Sequence, residues 1–286
     1  MQPLAGIKMV STAFNMPGPA AVWQLHRFGA SVVKVEPPTG DPLARNCPEL
    51  YRELTAGQHV VRLDLKQPAG REQIDAHLAE ADLLLTSTLP SSLARLRLSW
   101  ERLHAEFPRL CQVAIVGYAP PNEELTGHDL TYQASVGLLA PPAMPLTLLA
   151  DMAGAQTAVT HALAVLQERA RTGQGVFSYV PIAGALDFFT IPLRYDITAP
   201  GGRLAGTLPM YNLYPTRDGW LAVGALEPQF WAKMQELLGL KEGTYEELKG
   251  IFATRTAADW ESWAIENRLP IAAVRKAEGG RQKSGG

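Results

Sequence analysis

Ser31-Val32-Val33-Lys34-Val35 is a short run, apolar and β-branched at three of its positions. A run of this length, rich in valine and flanked by turn residues, reads as a strand. Outward from it the same texture repeats. Upstream, Ile7 to Ser11 reads as a strand, and Pro19 to Phe28 as a helix with proline at its start. Downstream, Val60 to Leu65 reads as a third strand and Pro68 to Glu80 as a helix, with Ile74 and Leu78 on one face. Ala81 to Thr86 is a fourth strand, followed by a short helical stretch from Pro90 to Leu96. A helix ending near Phe107 then leads into a fifth strand, Leu110 to Val116. Strand–helix alternation with short links predicts an α/β fold, an open Rossmann-like parallel sheet covered on both faces. Ligands of such sheets bind at the carboxyl ends of the strands.

Composition narrows the class. The chain has 286 residues, 47% hydrophobic and 19% charged, with a formal net charge of −2. That is ordinary for a soluble globular protein and gives no basis for nucleic-acid binding. No apolar run is long enough for a membrane span, and Met1-Gln2-Pro3-Leu4 lacks the basic-then-apolar pattern of a signal segment. Cys47 and Cys111 do not form a metal-ligand spacing, so no metal site is expected. They read as free thiols of a reducing cytoplasm. The turn after the first strand, Asn15-Met16-Pro17-Gly18-Pro19, is not a G-x-G-x-x-G fingerprint, which removes the main support for a dinucleotide-dependent dehydrogenase.

Past the fifth strand, Gly127-His128-Asp129-Leu130-Thr131-Tyr132 is joined by a Pro-rich apolar turn to Leu148-Leu149-Ala150-Asp151. A helical run from Met152 to about Arg169 follows, ended by Thr172-Gly173. Asp151 therefore reads as an N-cap, where a carboxylate accepts hydrogen bonds from the first helical N–H groups. From Gly201 the texture changes. Trp220 to Val223 reads as a strand paired with an earlier one, and helices are expected at Gln229–Leu238, Thr244–Phe252 and Ala257–Glu266. The expected organisation is a large Rossmann-like domain over residues 1–199, including the long connecting helix, and a smaller α+β domain over residues 200–286. The tail from Gly279 to Gly286 is expected to be mobile.

A resemblance joins these pieces. Pro3-Leu4-Ala5-Gly6-Ile7, Phe28-Gly29-Ala30-Ser31-Val32-Val33-Lys34-Val35-Glu36-Pro37-Pro38, Gly40-Asp41, Leu63-Asp64-Leu65-Lys66, Gly127-His128-Asp129, Ala150-Asp151 and Glu227-Pro228-Gln229-Phe230 occur in that order. In this the chain resembles the family III CoA-transferases (CaiB/BaiF type), and within them the α-methylacyl-CoA racemase branch. The resemblance implies an acyl-CoA thioester as substrate, no prosthetic group, and an interlocked homodimer. In the transferases the aspartate matching Asp151 is the nucleophile that carries acyl and CoA groups. In the racemases it is paired with a histidine matching His128, with a glutamate matching Glu227 nearby. Gly-His-Asp and Glu-Pro-Gln-Phe are racemase-like, so the first expectation is an acyl-CoA racemase/epimerase and the second a CoA-transferase.

The chemistry assigns roles. Removing the α-proton of a thioester leaves an enolate, so a site needs a base, a protonated acid on the other face, and donors to the oxygen. His128 is the expected base, since unperturbed imidazole titrates near ~6.5. Asp151 is the expected acid, its pKa raised by burial. The N–H groups of Met152–Gly154 are expected to hold the oxygen, and Glu227 to orient His128. Asp129 reads either as a partner of the imidazole or as part of the local turn. The polyanionic end of CoA calls for cations, and the candidates are Lys34, Arg45, Arg62 and Arg95. The chain also departs from the family pattern. Thr88-Leu89-Pro90-Ser91-Ser92 stands where the family has an Arg that contacts CoA, and Thr55-Ala56-Gly57-Gln58 lacks the family's basic residue. These losses keep open a third reading, a diverged, weakly active CoA-binding member.

Overall fold

The structure is a computed structural model and describes residues 1–277. The glycine-rich tail expected to be mobile lies outside the described residues. The chain divides into two compact units, Met1–Phe189 and Thr190 onward.

The first unit alternates strands and helices. β1 (Lys8–Ser11), α1 (Pro17–Arg27) and β2 (Ser31–Glu36) are followed by α2 (Pro42–Asn46), α3 (Pro48–Thr55) and β3 (His59–Arg62). Then come α4 (Pro68–Glu80), β4 (Leu83–Thr86), α5 (Pro90–Arg95), α6 (Trp100–Glu106) and β5 (Cys111–Val116). After β5 lie α7 (Asp129–Ser135), α8 (Leu149–Thr172), β6 (Phe177–Pro181) and α9 (Ile182–Phe189). Helices α1 to α5 each carry a proline in the first turn, where its missing N–H costs nothing.

The six strands form one parallel sheet in the order β3-β2-β1-β4-β5-β6. The parallel sheet expected from the sequence is therefore present. Its strands are apolar on both faces because both faces are covered. Met9, Leu83, Leu85, Val113 and Ile115 pack with α1 and α8. Their neighbours Val10 and Leu84 point the other way, onto Ile74 and Leu78 of α4 and Leu93 and Leu103 of α5 and α6. The alternation within Leu83-Leu84-Leu85 is the period of two that a strand imposes.

The second unit holds α10 (Ile191–Arg194), β7 (Tyr211–Pro215), β8 (Trp220–Gly224), α11 (Pro228–Leu238), α12 (Tyr245–Phe252), α13 (Ala257–Glu266) and β9 (Ile271–Ala273). β8 lies between β7 and β9, antiparallel to both. The three helices expected here are present. Their apolar faces meet the sheet over Tyr214, Leu221, Phe252 and Trp260, all buried. Among the described residues, no helix is long and apolar enough to cross a membrane.

Candidate active site

Strand order reverses between β1 and β4, so the loops leaving these two strands run apart and leave a crevice. Its walls come from Phe14 and Asn15 after β1, Ser87 and Thr88 after β4, and Val116 and Gly117 at the end of β5. The cavity measures about 210 Å³. The Phe14 N–H donates to Ser87 Oγ at 2.9 Å, which ties the two strand ends together. Gly18 is required on steric grounds, because a Cβ there would lie 2.3 Å from the Ala13 Cβ. Both His128 and Asp151 line this crevice.

His128 is the N-cap residue of α7, with extended backbone (φ −135°, ψ 163°) and an exposed side chain. Its N–H donates to Thr131 Oγ1 at 3.1 Å, which fixes the turn from which the imidazole projects.

Asp151 differs from expectation. The helix begins three residues earlier than the sequence suggested, with Leu148 at the N-cap and Asp151 inside the first turn. The cap is supplied from a distance. Asp129 Oδ1 accepts from the N–H groups of Ala150 (2.8 Å) and Asp151 (3.1 Å), and its Oδ2 accepts from Gln133 Nε2 (2.6 Å). Asp129 is thus the cap of α8 and not a partner of the imidazole, and Asp151 is relieved of that duty. The expected oxygen-holding role of Met152–Gly154 is corrected with it. The Met152 N–H donates to Leu148 O at 3.0 Å, and Ala153 and Gly154 lie further inside the helix.

The electrostatics follow from this arrangement. The Asp151 carboxyl is pushed up to about 6, first by burial and then by the Asp129 carboxylate, with His128 opposing. Tyr132 is buried beside it and also lines the crevice. Its phenol is pushed up to about 12, by burial first and then by Tyr118 and Asp151.

The four cations expected to meet CoA take different places. Lys34 is buried. Its ammonium donates to Asp41 Oδ2 (2.8 Å) and to Ala13 O (3.1 Å), and lies 3.8 Å from Glu36 Oε1. It is spent inside the fold, since a lysine on a sheet covered on both faces is drawn to buried carboxylates. Arg45 on α2 is exposed. Arg62 is exposed at the end of β3, 3.9 Å from Glu36 Oε2. Arg95 is exposed on α5 and donates to Ser92 Oγ at 2.6 Å. A second cavity of about 180 Å³ lies at the ends of β1, β2 and β3 and shares Phe14 and Thr88 with the first. The exposed Lys66 lines it, a cation that the sequence offered only as part of a motif. Glu227 belongs to the second unit, at the N-cap of α11, exposed and making no side-chain cap. The first unit's crevice holds His128 and Asp151. Among the described residues, no group of three His, Cys, Asp or Glu side chains could hold a metal ion.

Comparison with known proteins places this geometry. The family model of CoA-transferase family III matches residues 4–284. The chain belongs to CoA-transferase family III. It is 32% identical to the α-methylacyl-CoA racemase of Homo sapiens, over 90% of this chain and 74% of the relative. It is 28% identical to the succinyl-CoA–D-citramalate CoA-transferase of Chloroflexus aurantiacus, over 84% of this chain and 66% of the relative. The fold matches the crystal structure of a CaiB/BaiF family protein from Brucella suis with a TM-score of 0.81 at 21% identity, covering 96% of this chain and 84% of that one. Family III contains both racemases and CoA-transferases, and this chain is similar to members of each kind.

Proposed function

We propose that this family III protein is an acyl-CoA racemase/epimerase acting on a 2-methylacyl-CoA thioester, with no prosthetic group. The observation that carries the reading is a carboxyl group with its pKa near 6 lining the same crevice as an exposed imidazole. An acyl chain seated against Asp151 removes further water and raises that value again, so the acid holds its proton at neutral pH. The His128 nitrogen takes the α-proton from one face. The C–H electron pair becomes a carbon–carbon π bond, and the carbonyl pair moves onto oxygen. The pair then returns, the α-carbon takes the Asp151 proton on the opposite face, and the configuration is inverted. The enzyme is left as imidazolium and carboxylate, which is the state that runs the reverse direction or resets with solvent. In this reading Arg62 and Lys66 meet the phosphates of CoA, with Arg45 and Arg95 further out.

The similarity to CoA-transferases favours a second reading, in which Asp151 attacks the thioester as a nucleophile and passes through a mixed anhydride. That route needs the ionised carboxylate and makes no use of His128. Proton NMR of a 2-methylacyl-CoA in heavy water, without an acceptor acid, separates the two. The racemase loses its α-proton signal and forms both epimers, and His128→Ala and Asp151→Ala each end two-sided exchange. Full exchange in both variants would remove the assignment. A hydroxylamine-trapped Asp151 adduct, with indifference to the loss of His128, would establish the transferase.

A further inference from the structure

Racemisation through an enolate needs a hydrogen-bond donor at the thioester oxygen, and three N–H groups of the first turn of α8 are already engaged. The N–H groups of Ala150 and Asp151 are taken by Asp129, and that of Met152 by Leu148. The side chains of the crevice offer donors instead, and one of them is buried beside the two expected reacting groups. Tyr132 lines the crevice together with His128 and Asp151, and among the described residues no group accepts a hydrogen bond from its hydroxyl. We infer that the Tyr132 hydroxyl donates to the thioester oxygen as charge develops on it, which makes Tyr132 a catalytic residue of the reaction proposed above.

The local packing is built around this side chain. A Cβ on Gly117 would lie 2.6 Å from the Tyr132 hydroxyl, and one on Gly127 would lie 2.6 Å from its ring and 2.8 Å from the same oxygen. Neither glycine is among those with positive φ, so space rather than backbone conformation requires them. Tyr118 meets the ring edge-on at 5.4 Å between centroids, and Tyr132 is only 2% exposed. A donor held on three sides has little freedom to lose when the charge appears, which is the condition under which such donors are most effective. With its phenol pushed up to about 12, the group keeps its proton at working pH and donates without transferring it. The balance of the step is unchanged. The α-proton goes to His128, the charge goes to the carbonyl oxygen, and the tyrosine O–H stays intact.

The inference rests on the racemase reading, and its test separates the two. Tyr132→Phe keeps the ring and its packing, and Tyr118→Phe is the control for an aromatic neighbour outside the crevice. The expected result is a fall in kcat for α-proton exchange of about 10²-fold in Tyr132→Phe with KM little changed, as for loss of one oxyanion donor, and an unaltered melting temperature. Tyr118→Phe stays near wild type. The second readout uses acetoacetyl-CoA, whose enolate is seen by its ultraviolet absorbance. The wild-type protein lowers the pH at which the bound ketone ionises, and Tyr132→Phe loses that shift. A Tyr132→Phe protein that exchanges protons at the wild-type rate and favours the enolate equally overturns the assignment and leaves the racemase reading intact. A wild-type protein that exchanges no α-proton, yet favours the enolate through Tyr132, supports the donor and overturns the racemase.

Discussion

Two clusters of carboxylates sit near the carboxyl edge of the same sheet, and they are treated in opposite ways. At the end of β2, Glu36 and Asp41 are almost wholly buried, and so is Lys34 between them. The Lys34 ammonium donates to Asp41, the Tyr51 hydroxyl donates to Glu36 Oε1 at 2.8 Å, and the Asp41 N–H donates to Glu36 Oε2 at 3.3 Å. Every charge there has a partner. At the start of α8, Asp129 and Asp151 share a corner with no buried cation. Asp129 takes the available N–H donors, and Asp151 is left with a carboxyl that holds its proton too tightly. The difference is whether a cation was buried with the acids. Where it was, the acids are paired and structural. Where it was not, one acid has its pKa pushed up to about 6.

The largest effect that would break this contrast is loss of the buried cation. Lys34→Met should leave Glu36 and Asp41 buried without their countercharge and cost about 3–5 kcal/mol in urea unfolding. A loss under about 1 kcal/mol would mean that the first cluster relaxes into solvent as easily as a surface pair. The contrast would then disappear.

The second cluster should give the opposite sign. The folded-state pKa of Asp151, about 6, lies above its unfolded value near 3.8. Between those values the folded protein binds the extra proton, so stability falls as pH rises through the window. Above pH 6 the ionised carboxylate opposes the fold. Asp151→Asn removes that penalty, and the variant should be more stable than wild type at pH 8. The gain is on the order of 1–2 kcal/mol once partial solvent exposure is discounted. Below pH 4 the difference should vanish. Thermal melts at pH 4 and pH 8 decide it, and a variant less stable than wild type at pH 8 would show that Asp151 is a structural anion after all.

What the sequence made legible follows the range of the forces involved. Strands β1 to β5 and helix α4 are set by local pattern, valine and leucine runs bounded by proline, and they stand where that pattern puts them. β6 was not read, because Phe177-Ser178-Tyr179-Val180-Pro181 is an edge strand with one paired neighbour and no alternation to mark it. α7 was not read because seven residues give too little helical period. His128 and Asp151 were legible as a pair through the resemblance, and the crevice contains both. The pattern makes Lys34 a candidate cation for CoA because its partners, Glu36 and Asp41, enclose it only after the chain turns at Gly40. The role of Asp129 as a helix cap and the place of Tyr132 in the crevice are hidden for a related reason. One acts on a helix start beyond the Pro-rich turn, and the other depends on two glycines whose vacancy shows only in three dimensions.

The smallest predicted effect sharpens the comparison most. Asp129→Asn removes one charge but keeps an oxygen able to accept from the Ala150 and Asp151 N–H groups. Its new amide faces Gln133 Nε2, a donor meeting a donor, so Gln133 must turn its amide over and give up its bond to Thr147 O. The cost to the fold should be about 1 kcal/mol, the size of one weakened cap. The effect on Asp151 is more specific. Burial is the larger cause of its raised pKa and remains, while the like charge of Asp129 is lost. The Asp151 carboxyl should therefore titrate below the wild-type value yet above an ordinary aspartate. The pH limb of α-proton exchange that reports Asp151 should move down with it. Carbon-13 NMR of the carboxyl across pH 3 to 8 reads the shift directly, without reference to activity. An unmoved titration in Asp129→Asn would mean that burial alone makes Asp151 an acid and that Asp129 only caps the helix.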